Sequence, residues 1–134
     1  MDYSKSKLKK ILIIEDDVKL LDEIHDLLSS LKKYDIVKTS RGEIGYSQIL
    51  NFKPNLLILD VMLPEMDGFE ICRLIKELPF ESRPVIILLT ALSSVLNKME
   101  SDWLSQTGAQ ALLTKPLDRN QLLSLIDKFL SPRL

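Results

Sequence analysis

Short apolar runs separated by stretches of helical spacing constrain the fold of this chain more than any other feature of its sequence. The runs lack the strict apolar–polar alternation of strands with one solvated face, and are typical of strands covered on both faces in a parallel sheet. We predict strands at 11–14, 35–39 (the weakest), 56–59, 85–89 and 111–113.

The intervening stretches predict one helix after each strand, at 17–32, 42–51, 68–77, 94–106 and 118–130. Three residue pairs resemble capping boxes at helix starts: Ser40 with Glu43, Asp67 with Glu70 and Asp118 with Gln121. A repeated β-α unit with right-handed crossovers gives a doubly wound α/β sheet with helices on both faces. The 134 residues fit one such domain.

Charge and composition exclude several classes of protein. Eighteen Lys and Arg residues balance 19 Asp and Glu residues, so no overall field attracts nucleic acid or an anionic membrane. The longest apolar run has five residues, too short to cross a bilayer, and the polar N-terminus is no secretory signal. The single cysteine excludes an internal disulfide. We therefore predict a cytoplasmic protein that binds neither nucleic acid nor membranes directly.

For the domain boundaries, we expect residues 1–8 to form a flexible tail and residues 9–131 to form the domain. Residues 132–134 would be a short C-terminal end with no output domain. The sequence leaves open whether the chain acts alone or was cut from a longer protein.

Chemically active residues follow four of the five predicted strands. Glu15 and Asp16 follow the first strand, Asp60 the third, Thr90 the fourth, and Lys115 closely follows the fifth. Ligands of a doubly wound sheet bind outside the carboxyl ends of its strands. These side chains are therefore expected at one edge of the sheet.

Three neighbouring carboxylates require compensation, because two unit charges 4 Å apart repel by about 4 kcal/mol at an effective dielectric constant of 20. An all-oxygen set of ligands suits Mg²⁺, which retains several waters and binds phosphate oxygens. Lys115 and Thr90 add an ammonium group and a hydroxyl donor. An aspartate in these surroundings is suited to attack phosphorus and form an acyl phosphate.

The chain resembles the receiver domain of two-component response regulators over roughly residues 9 to 130. The resemblance rests on KILIIEDD (10–17), LLILDVMLPEMDG (56–68), VIILLTA (85–91) and LLTKP (112–116), in this order and at the strand ends. It implies a flavodoxin-like (βα)5 fold with strand order 2-1-3-4-5. It also implies a cis peptide bond between Lys115 and Pro116, which proline tolerates.

The resemblance further implies that Asp60 accepts a phosphoryl group from a sensor histidine kinase or phosphotransfer protein. Glu15, Asp16, Asp60 and the Met62 backbone carbonyl would hold Mg²⁺.

Thr90 and Lys115 would contact the phosphoryl group. Phosphorylation would switch the surface of the fourth helix, fifth strand and fifth helix, and thereby control a downstream partner or an attached output domain. This surface could also form a homodimer. The chain would modify itself and lose its phosphoryl group without turning over an external substrate, so it is not classed as an enzyme.

The sequence departs from the family pattern at two places. Leu112 occupies the position, three residues before Lys115, where many receivers carry Tyr or Phe. The segment 92–108 is longer than the family pattern implies, and predicts a longer or kinked fourth helix. In addition, Met62 and Leu92 are apolar and flank the expected path of a hydrolytic water, which predicts slow loss of the phosphoryl group.

Structural roles are the simplest interpretation of several other residues. We expect Asp17 to begin the first helix, Asp67 and Gly68 to form a helix cap and a close-packed turn, and Cys72 to be a small buried apolar residue. For Trp103, a place in the core and a contact with a partner are equally compatible with the sequence.

Three other classes of protein fit the sequence less well than a receiver. A flavodoxin-type electron carrier needs a hydroxyl- and glycine-rich phosphate loop where this chain has three acidic residues, 15–17. A phosphatase of the haloacid dehalogenase type has a second Asp two residues after the nucleophile, where this chain has Met62. The alternative that stays open is a pseudo-receiver, an interaction module that works without phosphorylation.

Overall fold

The computed structural model describes residues 8–91 and 100–131. The strands are β1 (Lys9–Ile14), β2 (Tyr34–Thr39), β3 (Leu56–Asp60), β4 (Val85–Ala91) and β5 (Ala111–Lys115). The helices are α1 (Val18–Ser30), α2 (Gly42–Phe52), α3 (Gly68–Lys76), α4 (Glu100–Thr107) and α5 (Arg119–Leu130), with a 3₁₀ turn at Phe80–Ser82.

The strands form one parallel sheet in the order β2-β1-β3-β4-β5. The centre of the sheet is aligned by apolar pairs, with Ile58 opposite both Ile13 and Ile87. All five residues of β3 are buried. The predicted flavodoxin-like fold and strand order are confirmed.

Successive strand residues face opposite sides of the sheet and therefore build two separate cores. On one side, Ile11, Ile13 and Ile58 pack with residues of α1 and α5. On the other side, Leu12 and Leu59 pack with residues of α2, α3 and α4. The continuous apolar runs thus correspond to strands covered on both faces.

Helix starts follow the capping signals in two of the three predicted cases. The Asp67 side chain accepts a hydrogen bond from Glu70 N at 2.9 Å, and Asp118 accepts one from Gln121 N at 3.1 Å. The Ser40 cap was wrong, because the N-cap of α2 is Arg41, which makes no side-chain capping bond, although the helix begins at residue 42 as predicted. The hydroxyl of Thr39, at the end of β2, accepts the Arg41 N–H at 3.2 Å instead.

The fourth helix is described over Glu100–Thr107. It ends one residue later than the predicted end at residue 106. Its predicted start at residue 94 lies outside the described residues, as do residues 1–7 of the expected tail and residues 132–134. Trp103 is only 4% exposed and belongs to the core beneath α3 and α4, which decides between the two roles considered for it. Gly108 follows α4 with a φ of 75°, as expected for a C-terminal glycine.

Among the helices that the structure describes, none combines the length and apolar character needed to cross a membrane.

The buried position of Cys72 predicts a thiol that does not react in the folded protein. Its side chain is 1% exposed, and burial raises the pKa of the thiol to about 12, so almost none of it is the reactive thiolate at pH 8. A disulfide reagent that releases a coloured thiol should label Cys72 only after guanidinium unfolding. The exposed position 29 supplies a control, because a Ser29→Cys variant should react at once with one thiol. Rapid labelling of the folded parent protein would contradict this placement.

Candidate functional site

The five predicted site residues meet at the carboxyl edge of the sheet. Asp60 and Lys115 are the last residues of β3 and β5, Thr90 is the next-to-last residue of β4, and Glu15 and Asp16 directly follow β1. The parallel strands end at nearly the same level, and this alignment brings residues distant in sequence together.

The Lys115 ammonium group bridges two buried carboxylates from different strands. Its Nζ lies 2.7 Å from Glu15 Oε1 and 3.2 Å from Asp60 Oδ2. The Glu15 and Asp60 side chains are 0% and 3% exposed, whereas that of Lys115 is 26% exposed. Buried charges require such partners, because losing hydration is costly.

Backbone amides fix the other oxygens of these two carboxylates. Asp60 Oδ1 accepts a hydrogen bond from Met62 N at 3.0 Å, and Glu15 Oε2 accepts one from Asp17 N at 3.1 Å. Asp17 is also the N-cap of α1, as predicted, and its side chain accepts from two backbone amides. The orientation of each carboxylate is therefore set by rigid backbone at the ends of β1 and β3.

The ionisation of the cluster is uneven. Burial, reinforced by Asp60, raises the pKa of Glu15 to about 8, and the same two causes raise the pKa of the exposed Asp16. Burial also acts to raise the pKa of Asp60, but hydrogen bonds from Glu15, Asp16 and the Met62 amide lower it more. Asp60 is therefore the carboxyl group that most readily keeps its negative charge.

The pKa of Lys115 is raised, so the ammonium form is favoured. Burial alone would lower it, but the contacts with Glu15 and Asp60 outweigh that effect. One cation thus faces three carboxyl groups.

The three carboxyl groups are close enough to share a metal ion. One oxygen each from Glu15, Asp16 and Asp60 can be chosen so that all three lie within 4.8 Å of one another. Two of the groups are buried, and Asp16 is exposed at the opening. Oxygen ligands from carboxylates suit a hard divalent cation, which would supply the charge that Lys115 alone does not.

Thr90 contributes a hydroxyl that is buried and whose oxygen has no hydrogen-bond partner within residues 8–91 and 100–131. Thr90 is one residue beyond Leu89, which pairs with Asp60 across β3 and β4. A buried polar group without a partner is uncommon in a folded protein and is suited to binding a ligand.

The turn after Asp60 is closely packed, as the sequence indicated. A Cβ atom on Gly68 would lie 2.8 Å from the Asp60 carbonyl oxygen, so only glycine fits without a shift of backbone. Glu65, in the same turn, forms an ion pair with Arg41, whose guanidinium nitrogen lies 3.3 Å from Glu65 Oε2. Sequence reasoning predicted the close turn at Gly68 and missed the Arg41–Glu65 pair, since surface ion pairs leave no sequence pattern.

The parallel sheet with strand order β2-β1-β3-β4-β5 is flavodoxin-like, and the peptide bond before Pro116 is cis, as predicted. Residues 11–127 match the family model of the response regulator receiver domain, and the chain belongs to this family of two-component systems. Receiver domains are signalling domains rather than enzymes in the usual sense, and they work with histidine kinases and output domains.

Individual relatives agree with this family. The DNA-binding dual master transcriptional regulator RpaA of Synechocystis is 30% identical over 119 residues, which are 89% of this chain and 48% of RpaA. The sensory transduction protein BceR of Halalkalibacterium halodurans is 34% identical over 121 residues, which are 90% of this chain and 49% of BceR. The chain thus spans about half the length of these curated relatives.

Solved structures share the fold. The crystal structure of a response regulator receiver domain protein from Methanospirillum hungatei has a TM-score of 0.78 and 30% identity to this chain. The similarity covers 91% of this chain and 93% of that one.

The carboxylate cluster predicts that Mg²⁺ stabilises the folded protein. At a concentration 100 times its Kd, a ligand that binds only the native state raises the free energy of unfolding by about 2.7 kcal/mol. Urea unfolding with and without MgCl₂ should show such a gain, and Asp16→Asn should lose most of it.

Asp102→Asn is the matched control, because this exposed aspartate lies on α4, outside the cluster. It should respond to Mg²⁺ like the parent protein. An undiminished response in Asp16→Asn would show that the cation acts elsewhere.

Proposed function

We propose that the chain is a phosphorylation-controlled switch in which Asp60 accepts a phosphoryl group from a histidine kinase or phosphotransfer protein. The observation that carries this proposal is the buried Asp60 carboxylate, held by Lys115 and the Met62 amide beside two further carboxyl groups. Catalysis of phosphoryl transfer consists mostly of positioning and charge neutralisation, and these contacts provide both.

In the transfer step an oxygen of Asp60 forms a bond to phosphorus while the bond from phosphorus to the donor nitrogen breaks. The electron pair of that bond leaves with the donor imidazole. Lys115 stays at the site and neutralises the negative charge that the phosphoryl oxygens bring. The Thr90 hydroxyl, which has no partner in the described part of the chain, donates a hydrogen bond to one of these oxygens.

Glu15, Asp16, Asp60 and the backbone carbonyl of Met62 would hold Mg²⁺. When bound, this ion offsets the charge on the transferring phosphoryl group.

The phosphorylated state is proposed to alter the surface of α4, β5 and α5, and thereby to act on a partner protein, an attached output domain or a second copy of the chain. Residues 9–131 would constitute the receiver unit. Regulation by such a switch needs an element with two arrangements of similar energy, which the charge at Asp60 biases.

Phosphorylation by a small donor tests the proposal directly. After incubation with acetyl phosphate and Mg²⁺, intact-mass measurement should show one added phosphoryl group, which should disappear when the metal is chelated before the reaction or when Asp60 is replaced by Asn. Asp67→Asn is the matched control, because it keeps a capping side chain in the same loop and should be modified normally. No added mass on the folded parent would favour the pseudo-receiver.

Met62 should control how long the phosphoryl group persists. Its side chain is 62% exposed beside Asp60 and offers no hydrogen bond to an attacking water. Met62→Asn would provide one, and a hydrogen bond worth about 1 kcal/mol speeds a reaction roughly fivefold. Following the loss of added mass over time should show a correspondingly shorter lifetime. Met62→Leu should leave it unchanged, and an unchanged or longer lifetime in Met62→Asn would refute the idea. Leu92, its predicted counterpart, lies outside the described residues.

A further inference from the structure

The first residue of α3 rests directly on the backbone of Asp60. Gly68 N donates a hydrogen bond to the Val61 carbonyl at 2.9 Å, and Gly68 has no room for a Cβ, which would lie 2.8 Å from both the Asp60 carbonyl oxygen and Val61 Cα. Interiors packed this closely transmit small displacements instead of absorbing them. A change in the backbone at Asp60 is therefore passed to the start of α3.

The next residue connects α3 to α4 through an aromatic contact. The rings of Phe69 and Trp103 meet edge to face, with centroids 5.1 Å apart and an interplanar angle of 63°. Trp103 is buried and Phe69 is half-buried, in the core on this side of the sheet. Edge-to-face contacts depend on ring orientation, so a small rotation of α3 changes this one.

Further contacts connect α4 to the rest of the domain. The buried Thr107 hydroxyl donates to the Trp103 carbonyl at 2.8 Å and accepts the Ala109 N–H at 3.1 Å, just before β5. Near the other end of α3, Lys76 Nζ donates to the Gln106 carbonyl. The described part of α4 is thus joined to α3 at two points and is held to the turn that precedes β5.

The usual aromatic position on β5 carries no ring in this chain. Leu112 is half-buried and packs against the same core as Phe69 and Trp103. The single tryptophan of the chain lies instead on α4.

We infer that the Phe69–Trp103 contact transmits the state of Asp60 to α4, so that α3 relays the signal that an aromatic on β5 would otherwise carry. Phe69 is then a positioning residue that acts through Gly68 on one side and Trp103 on the other. This inference rests on the proposed phosphorylation of Asp60 and names its internal route.

The relay requires the Phe69–Trp103 contact to be weaker in the modified arrangement than in the unmodified one. Removing the contact should therefore favour the modified arrangement. By linkage, Phe69→Leu should then bind the phosphoryl analogue beryllofluoride, with Mg²⁺ present, about threefold more tightly than the parent protein. At saturation the fluorescence of Trp103 should change in the parent, and the change should be at least about twofold smaller in Phe69→Leu.

Two control variants show whether an effect of Phe69→Leu comes from the lost contact with Trp103 or from a general loss of packing. Phe69→Tyr keeps the ring at a half-buried position and should restore the parent response. Tyr34→Leu removes a half-buried ring from β2, in the core on the opposite face of the sheet and outside α4, β5 and α5, and should behave like the parent. Amide exchange over residues 100–107 gives a readout that does not depend on the tryptophan, and beryllofluoride should alter it in the parent more than in Phe69→Leu.

The outcomes distinguish the relay from the proposed function. Acetyl-phosphate labelling of Asp60 combined with an unchanged Trp103 signal, or with equal responses in Phe69→Leu and the parent, would overturn the relay and leave the phosphoacceptor role intact. A Phe69→Tyr variant whose Trp103 response is as small as that of Phe69→Leu would also overturn it. Failure of the parent to accept a phosphoryl group would overturn the proposed function and the relay with it.

Discussion

The bridge from Lys115 to Glu15 and Asp60 is the interaction on which the rest of the site depends. It joins the ends of β5, β1 and β3, which are far apart in sequence and come together only when the sheet has its full strand order. The cost of burying two carboxylates is met by one ammonium group and the backbone amides of Met62 and Asp17. Three carboxyl groups still face one cation, and burial together with this imbalance raises the pKa of Glu15 and Asp16. The imbalance makes the edge suitable for a divalent cation.

The residues of the candidate site lie at the carboxyl edge of the sheet, whereas the residues that stabilise the fold lie at its centre. Leu56, Leu57 and Ile58 are completely buried between helices. Asp60, two residues further along β3, lies at the carboxyl edge of the sheet against the Lys115 ammonium group. Loops are freer to change than strands, because fewer packed side chains hold them. A charge added at the edge can thus alter neighbouring segments while the centre of the sheet stays fixed.

Much of the fold and most of the site geometry were predictable from the sequence for one reason. Apolar runs locate the strands of a parallel sheet, and whatever follows a run lies at the same edge, so Glu15, Asp60 and Lys115 could be brought together without coordinates. Contacts between helices could not be predicted in this way. The burial of Trp103 depends on how α3 and α4 pack. The start of α2 at residue 42 was predicted, but the Ser40 cap was wrong, because Arg41 is the N-cap and its N–H donates to the Thr39 hydroxyl.

The division of the interior into two cores by the sheet has a consequence for how this sequence can change. Ile11 and Leu12 are neighbours in β1, yet their side chains belong to different cores. Energetic effects of substitutions add when the sites share no contacts. The layer formed by α1 and α5 can therefore accumulate changes without forcing compensation beneath α2, α3 and α4, so one face of the protein can diversify while the other keeps its packing.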